Sequence, residues 1–386
     1  MWIRALSETE NDLMAALKKI EFTFSAGPDQ FMTIAKLRAA RTCWARITQA
    51  CGLNADQIPM RVHMITASTM MSQRDPWVNM LRTTTACFGA ALGGADAITV
   101  QPFDAAIRDP EELGFRIARN TQLILQEETK AGLVTDPAGG SWYIEDLTKN
   151  LSIASWREFQ LIEKNGGLIS ALGSGILVNA FQTTRQKRMT EIASRRAPIT
   201  GVSEFPDVNE SPIGKWEKRQ LEDLDTVLNP TTPYQTVRWS EPFEIIRDVA
   251  ETADQKPAIF LANLGALSSY GARSAFAKNL FEAGGIRVDN YGGFSDASET
   301  AKAFLASGCQ IACICSSDSI YAQEAESTAT ALKQSGASLV YLAGHQGDKA
   351  DDLKAAGVDD FIFIGCDALK LLSATLRIFT NKASKS

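Results

Sequence analysis

Histidine is scarce in this chain, and several catalytic motifs are missing with it. The 386 residues include only two histidines, His63 and His345. No Ser-His-Asp order, no GxxxxGK[ST] phosphate loop and no HExxH zinc motif occurs along the sequence. The sequence therefore gives no support for a conventional hydrolase, a P-loop nucleotide enzyme or a zinc protease.

The chain also lacks a basic excess and long apolar runs. Its net charge is -6, with lysine and arginine scattered, which disfavours a nucleic-acid partner. No apolar run approaches the roughly 18 residues of a membrane-spanning helix. The first residues, MWIRALSETE, lack the apolar core of a signal peptide. These features predict a cytoplasmic protein that contacts neither membrane nor nucleic acid.

Paired cysteine spacing is absent as well. The seven cysteines are an odd number without a CxxC motif, which indicates reduced thiols. Cys309, Cys313 and Cys315 would share one face of a strand, because side chains alternate with period two. A metal site needs a fourth ligand, and none lies nearby in the sequence. A buried strand face is therefore the favoured interpretation.

What the sequence does contain is a regular alternation of strands and helices. Three predicted strands, at 20–26, 60–67 and 97–103, are each followed by a helix, which favours a parallel sheet. Three strands cannot close a barrel, so the pattern suggests a segment missing before Met1. After residue 257 five further strands alternate with helices. This second pattern predicts a doubly wound sheet of flavodoxin-like size, whose ligand site would lie at the carboxyl ends of its strands.

The region between these two parts differs in character. Long helical segments are followed by an irregular stretch with Pro206, Pro212, Pro230 and Pro233. We therefore predict three parts: residues 1–143, a helical bridge and linker at 144–256, and residues 257–386.

Few residues in these parts offer site chemistry. Arg61 and His63 point to the same side of a predicted strand. His63 could hydrogen-bond a substrate carbonyl or could be a structural histidine, and the spacing leaves both roles open. The glycine-containing turn at 136–143, DPAGGSWY, could approach a ligand, but a packing corner is favoured.

Four segments together resemble one enzyme family, the adenosylcobalamin-dependent acyl-CoA mutases typified by methylmalonyl-CoA mutase. They are FMTIAKLRAARTCWARI (31–47), RDPWVNMLRTTTACFGAALGGADAITVQPFDAAI (74–107), RIARNTQLILQEE (116–128) and DPAGGSWYIEDLT (136–148). The resemblance continues into the C-terminal sheet. It implies the last three βα units of a (β/α)8 TIM barrel, a helical linker and a flavodoxin-like domain of the cobalamin-binding type. It also implies the interconversion of methylmalonyl-CoA and succinyl-CoA by radical rearrangement.

His63 matches the family histidine that hydrogen-bonds the substrate thioester carbonyl. The motif in catalytic chains reads RTHSQTSG, whereas this chain has Ile65 in place of the glutamine. The resemblance therefore implies that Arg61 and His63 are a vestigial substrate contact and that this chain has no complete catalytic set.

The cobalamin signature departs further from the family pattern. The DxHxxG motif, whose histidine is the axial cobalt ligand and whose aspartate orients it, corresponds here to Ala266, Ser268 and Gly271. The elements that line the nucleotide tail correspond to Ser316 and to Gly344 with His345, and the bulky His345 would obstruct that groove. We predict a degenerate loop that does not bind cobalamin or a metal.

This combination resembles the small, non-catalytic subunits of heterodimeric members of the family. It implies an accessory subunit whose partner is a catalytic large subunit, with adenosylcobalamin bound by that partner. Two alternatives stay open at the level of sequence: a stand-alone pseudoenzyme or scaffold, and a flavin- or nucleotide-binding α/β enzyme.

Overall fold

The computed structural model describes residues 3, 6, 12–211, 213, 219–230, 232 and 234–380. Pro212 and Pro233 of the predicted linker lie outside the described residues. The chain divides into two compact units: Met1–Thr184 with Pro233–Arg238, and Arg185–Thr232 with Trp239–Ser386. The predicted 144–256 segment is thus shared between the two units.

The first unit contains a three-stranded parallel sheet in the order β1-β2-β3. Its elements, in chain order, are α1 (Leu13–Leu17), β1 (Glu21–Ala26), α2 (Gln30–Ala50), β2 (Arg61–Thr66), α3 (Trp77–Leu92), β3 (Ala97–Thr99), α4 (Glu112–Leu123), α5 (Trp142–Lys164) and α6 (Leu168–Gly173). Short 3-10 turns occur at Ala55–Gln57 and Ser68–Met70, and a π turn at Ile124–Glu128 follows α4. Helix α7 (Ile176–Ala193) runs from the first unit into the second.

One face of this sheet packs on helices and the other remains polar. Val62, Met64 and Thr66 of β2 are buried, and α3 packs against all three strands. Arg61 and His63 alternate with them, because successive side chains of a strand point to opposite faces. The polar face of the sheet thus carries the residues that the sequence analysis singled out.

The second unit contains a five-stranded parallel sheet in the order β5-β4-β6-β7-β8. Its elements are α8 (Glu222–Leu228), α9 (Glu241–Thr252), β4 (Ala258–Asn263), α10 (Leu267–Ala283), β5 (Arg287–Asn290), α11 (Ala297–Ser307), β6 (Ile311–Cys315), α12 (Asp318–Gln334), β7 (Leu339–Ala343), α13 (Ala350–Ala355), β8 (Asp360–Ile362) and α14 (Ala368–Thr380). The first two strands of this unit, β4 and β5, are neighbours, and the third strand, β6, lies on the other side of β4. Ligand crevices of doubly wound sheets lie at such a reversal.

Burial explains why the central strands are continuous apolar runs. β6 is buried along its whole length, and β4 is buried from Ile259 onward, because helices cover both faces of a parallel sheet. The parallel sheets predicted from the alternation of the sequence are confirmed. No helix in the described ranges is long and apolar enough to cross a bilayer.

The cysteines follow this burial pattern. All seven are free thiols, and Cys313 and Cys315 lie on one face of β6 with their Sγ atoms 3.8 Å apart. Burial raises the pKa of Cys313 well above its ordinary value. Cys309 precedes the strand and is half-buried. Among the residues that the structure describes, no three His, Cys, Asp or Glu side chains group as a metal site.

Candidate functional site

His63 lies in the middle of β2, on the polar face of the three-stranded sheet. Its Nε2 is 2.8 Å from the hydroxyl oxygen of Thr99 on β3, and its Nδ1 is 3.9 Å from Oε1 of Glu21 on β1. The register pairs His63 with Ala97, and Arg61 with Glu21. Both ring nitrogens of His63 therefore face polar atoms from the two neighbouring strands.

Only the Thr99 contact is within hydrogen-bond distance, and it engages one ring nitrogen within the protein. The Thr99 contact engages the nitrogen that would otherwise be available to a carbonyl oxygen. Arg61 is exposed beside it, two residues earlier on the same face. Glu21 and Thr99 were not predicted from the sequence, because only the strand register brings them next to His63.

The glycine-containing turn at 136–143 is anchored to α2 within the first unit. Nη2 of Arg38 donates to Asp136 at 3.1 Å and to Glu145 at 2.7 Å, and Gly140 N–H donates to the same Glu145 oxygen at 3.0 Å. The hydrogen bond from Arg38 lowers the pKa of Glu145, with a further contribution from Gly140 N–H. These are the contacts of a packing corner.

The second candidate site is the loop between β4 and α10. Ala266 is the N-cap residue of α10 and offers no side-chain cap, and Ser268 is exposed in the first turn. Gly265 adopts a φ of +79°, and a Cβ there would lie 2.7 Å from the Ile320 side chain. Gly271 lies inside α10, where an added Cβ would meet only Leu267 at 3.4 Å. The chain thus turns sharply from β4 into α10. Neither Ala266 nor Ser268 offers an imidazole, a thiolate or a carboxylate to a metal.

Ser316 joins this loop to the end of β6. Its side chain is fully buried, and its hydroxyl donates to the carbonyl of Leu264 at 2.8 Å. The carbonyl of Ser316 accepts from Nη1 of Arg273 at 2.7 Å. Ser316 therefore connects two loops of the protein, and its hydroxyl donates its hydrogen bond to one of them.

Tyr321 and Arg273 fill the space between the ends of β6 and β7. The Tyr321 hydroxyl accepts from Ser316 N–H at 2.9 Å and lies 2.8 Å from the carbonyl oxygen of Ala343. Arg273 covers the ring at 4.9 Å from its centroid, and its Nη2 donates to Asp318 at 2.6 Å. Burial raises the pKa of Tyr321.

Gly344 and His345 complete this edge of the sheet. A Cβ on Gly344 would lie 3.5 Å from the Tyr321 ring and 3.8 Å from the Arg273 guanidinium carbon. His345 is exposed, and its ring lies 4.2 Å from the ring of Phe363 after β8. Ser316 and Gly344 thus meet around Tyr321 and Arg273, whereas Ala266 and Ser268 stay at the exposed start of α10. Tyr321 was not predicted as a site residue, because nothing in its helical surroundings indicates a long-range contact.

Comparison with known proteins gives a consistent family assignment. The family model described as Methylmalonyl-CoA mutase matches residues 1–231. A methylmalonyl-CoA mutase small subunit of Streptomyces virginiae is 44% identical over 379 residues, which cover 97% of this chain and 59% of the relative. A methylmalonyl-CoA mutase small subunit of Propionibacterium freudenreichii subsp. shermanii is 38% identical, covering 98% of this chain and 58% of the relative.

A protein named methylmalonyl-CoA mutase from Cereibacter sphaeroides matches a shorter region. It is 35% identical over 210 residues, which are 54% of this chain and 29% of that relative. The chain thus spans about three fifths of the length of the small subunits it matches, at 59% and 58%. Since the family model covers more than half of the chain, the chain belongs to the methylmalonyl-CoA mutase family.

Proposed function

We propose that this chain is the accessory small subunit of an adenosylcobalamin-dependent methylmalonyl-CoA mutase, which interconverts methylmalonyl-CoA and succinyl-CoA. In this proposal the chain is non-catalytic and pairs with a catalytic large subunit in the cytoplasm. The relatives named small subunits support the role, because such a name belongs to an assembly of unequal chains.

The observation that carries the non-catalytic role is the chemistry of the β4–α10 loop. Adenosylcobalamin would need an imidazole to ligate its cobalt and a carboxylate to orient that imidazole. Ala266 and Ser268 supply neither, and Ser268 is exposed at the start of α10. The Ser316 hydroxyl donates to a backbone carbonyl, and Arg273 packs on the Tyr321 ring, so these side chains are bonded within the protein. The residues present do not fit the cofactor, so we assign it to the large subunit.

The first unit supports the same proposal. Its three parallel strands would correspond to the last three βα units of the family's TIM barrel. Arg61 and His63 would be a vestigial substrate contact, since Thr99 and Glu21 already lie at the imidazole nitrogens. The strand order of the second unit is that of flavodoxin-like domains. We keep the domain limits 1–143, 144–256 and 257–386 as part of the proposal.

Cobalamin binding and turnover test the proposed function directly. The purified chain is mixed with adenosylcobalamin, with and without the large subunit, and the corrin absorbance that survives gel filtration is measured beside mutase turnover. We expect no retained cofactor and no turnover from this chain alone, and both from the mixture. Stoichiometric cobalamin on this chain alone would overturn the proposal.

A single restored ligand should not recover the site. We predict that Ser268→His does not confer cobalamin binding while Ala266 and His345 remain, because the imidazole would lack its orienting carboxylate and the edge would stay filled. Loss of such an outer partner typically costs about 10- to 100-fold in metal affinity. The measurement is retained corrin absorbance, with Ser268→Ala as the control. Retention by the histidine variant alone would show that only the axial ligand was missing.

A further inference from the structure

The polar face of the three-stranded sheet brings a carboxylate, an imidazole and a hydroxyl together. His63 lies on the central strand β2, between Glu21 of β1 and Thr99 of β3. Its Nε2 is 2.8 Å from Oγ1 of Thr99, and its Nδ1 is 3.9 Å from Oε1 of Glu21. A hydroxyl, an imidazole and a carboxylate in this order are the parts of a triad of nucleophile, base and orienting group.

The parallel register of the strands produces this order. His63 pairs with Thr23 on β1 and with Ala97 on β3, so Glu21 and Thr99 are each two residues away from a register partner of His63. An offset of two residues keeps a side chain on the same face of a sheet. The three side chains therefore meet although they are distant in the sequence, and a search for local catalytic motifs does not find them.

The contacts favour the tautomer in which His63 can act as a base. A hydrogen on Nδ1 is attracted by the carboxylate of Glu21, and Nε2 then accepts the hydrogen bond of the Thr99 hydroxyl. The Nδ1–Oε1 distance exceeds that of a hydrogen bond, but the Glu21 side chain is 63% exposed and can shorten it by a change of rotamer. Catalytic hydrogen bonds are often long in a protein without its substrate and tighten when the substrate binds.

This group of side chains is accessible to a small substrate. Glu21 and Thr99 are exposed, and the His63 side chain is 28% exposed. Arg61 is exposed on the same face, two residues and roughly 6.5 Å along the strand from His63, so its guanidinium supplies a positive charge near a developing oxyanion. An exposed cation stabilises charge only weakly in water. The site therefore suits an ester with a good leaving group, which needs little stabilisation of the oxyanion.

We propose that Thr99, His63 and Glu21 form an acyl-transfer site that hydrolyses activated carboxylic esters, an activity independent of the proposed function. Oγ1 of Thr99 bonds to the acyl carbon while its proton passes to Nε2 of His63, and the leaving group departs with that proton. Water then attacks the acyl-threonine, His63 accepts a proton from the water and returns it to Oγ1, and the carboxylic acid is released. The sum is ester plus water giving acid plus alcohol, with no further reactant. Glu21 is a positioning residue that orients the imidazole.

Hydrolysis of p-nitrophenyl acetate by the purified chain tests this site. The protein-dependent rate is measured from nitrophenolate absorbance for the wild type, His63→Gln and Thr99→Val, and circular dichroism checks that each variant folds. We expect both variants to be about 100-fold slower, the smallest contribution that is typical of a positioned general base. Thr99→Ser should stay active because it keeps a hydroxyl. Glu21→Gln should lower kcat without changing KM, because the carboxylate does not touch the ester.

His345→Gln is the matched control. His345 is the only other histidine of the chain and is exposed, and an imidazole in solution hydrolyses such esters by itself. Its loss should leave the rate unchanged. Equal rates for His63→Gln and His345→Gln would overturn the proposed site, because the activity would then not depend on the position of the imidazole.

Mass spectrometry of the acid-quenched reaction identifies the nucleophile. We expect an acetyl group on the residue at position 99 in the wild type and in Thr99→Ser, and none there in Thr99→Val or His63→Gln. Acetylation confined to lysines in the wild type would overturn the role of Thr99, whether or not the variants fold. A slow His63→Gln beside a fully active Thr99→Val would do the same, since His63 would then act on water directly. None of these measurements needs the large subunit, so their failure leaves the proposed function standing.

Discussion

At the scale of single residues, Tyr321 links the ends of two neighbouring strands, β6 and β7. Its hydroxyl contacts backbone atoms after β6 and β7, and Arg273 packs on its ring. A buried hydroxyl with these partners stabilises the edge, because its removal leaves backbone groups unpaired.

We predict that Tyr321→Phe lowers the free energy of unfolding by about 1–3 kcal/mol, the cost of unpaired buried polar groups. Urea denaturation measures the change. Tyr291→Phe is the matched control, since Tyr291 is 48% exposed and its ring also packs in this unit, 5.7 Å from Phe260. Equal effects of the two substitutions would contradict the role given to the Tyr321 hydroxyl.

At the scale of elements, periodicity predicted the sheets but not the breaks between helices. One of the long helical segments expected within 144–256, the apolar stretch 166–196, is divided at Gly173–Gly175, where Gly175 has a φ of +79°. A glycine inside an apolar pattern is compatible with both a continuous and a broken helix, so the pattern alone could not decide. β3 ends at Thr99, shorter than the predicted 97–103 strand, because Pro102 cannot donate a ladder hydrogen bond.

The loops after β4 and β5 illustrate contacts that only the fold reveals. Gly265 N–H donates to the Phe294 carbonyl at 2.9 Å, and Phe294 N–H donates to the Asn263 carbonyl at 2.7 Å. A Cβ on Gly293 would lie 1.8 Å from the Gly265 carbonyl oxygen. The two loops therefore pack backbone against backbone, and Gly293 permits the approach.

We predict that Gly293→Ala destabilises the protein by about 1–3 kcal/mol, as overpacking does, because the backbone of one loop must move. The neighbouring Gly292→Ala is the control, since an added Cβ there meets nothing within 4 Å. Its effect should stay within about 0.5 kcal/mol. Thermal or urea unfolding of the pair measures the difference, and an equally mild effect at both positions would refute the close approach.

The corner between α2 and α5 should make stability depend on pH. The hydrogen bond from Arg38 lowers the pKa of Glu145 below its ordinary value of 4.5. A depressed carboxyl pKa contributes stability that is present above the unfolded-state value and is lost as pH falls through the folded-state value. When the pH is lowered from about 7 to about 3.5, we therefore predict that the free energy of unfolding falls less for Glu145→Gln than for the wild type.

Urea midpoints at the two pH values measure this difference. Glu158→Gln, an exposed position on the same helix, is the control and should follow the wild type. A Glu145→Gln variant with the full wild-type pH dependence would mean that the Arg38 contact does not contribute to folding.

At the scale of the whole molecule, the sequence predicted features that depend on neighbouring residues, and it did not predict features that depend on contacts between distant residues. The absence of a histidine or a carboxylate at Ala266 and Ser268 was readable from the sequence, because both positions lie in one short segment. The contacts of Tyr321 with the ends of β6 and β7 were not, since they join residues that are far apart in the chain.

Helix α6 contributes to the apolar exposure of the chain as a whole, because Leu168, Ile169 and Leu172 are 38%, 70% and 41% exposed within two turns of one helix. We predict that the isolated protein enhances the fluorescence of the apolar dye ANS, since exposed apolar clusters bind it. Ile169→Glu combined with Leu172→Glu should reduce this signal more than the Leu305→Glu control, because the two residues are 70% and 41% exposed within one cluster whereas Leu305 stands on another helix. An equal signal from the double variant and the control would mean that the dye binds elsewhere on the molecule.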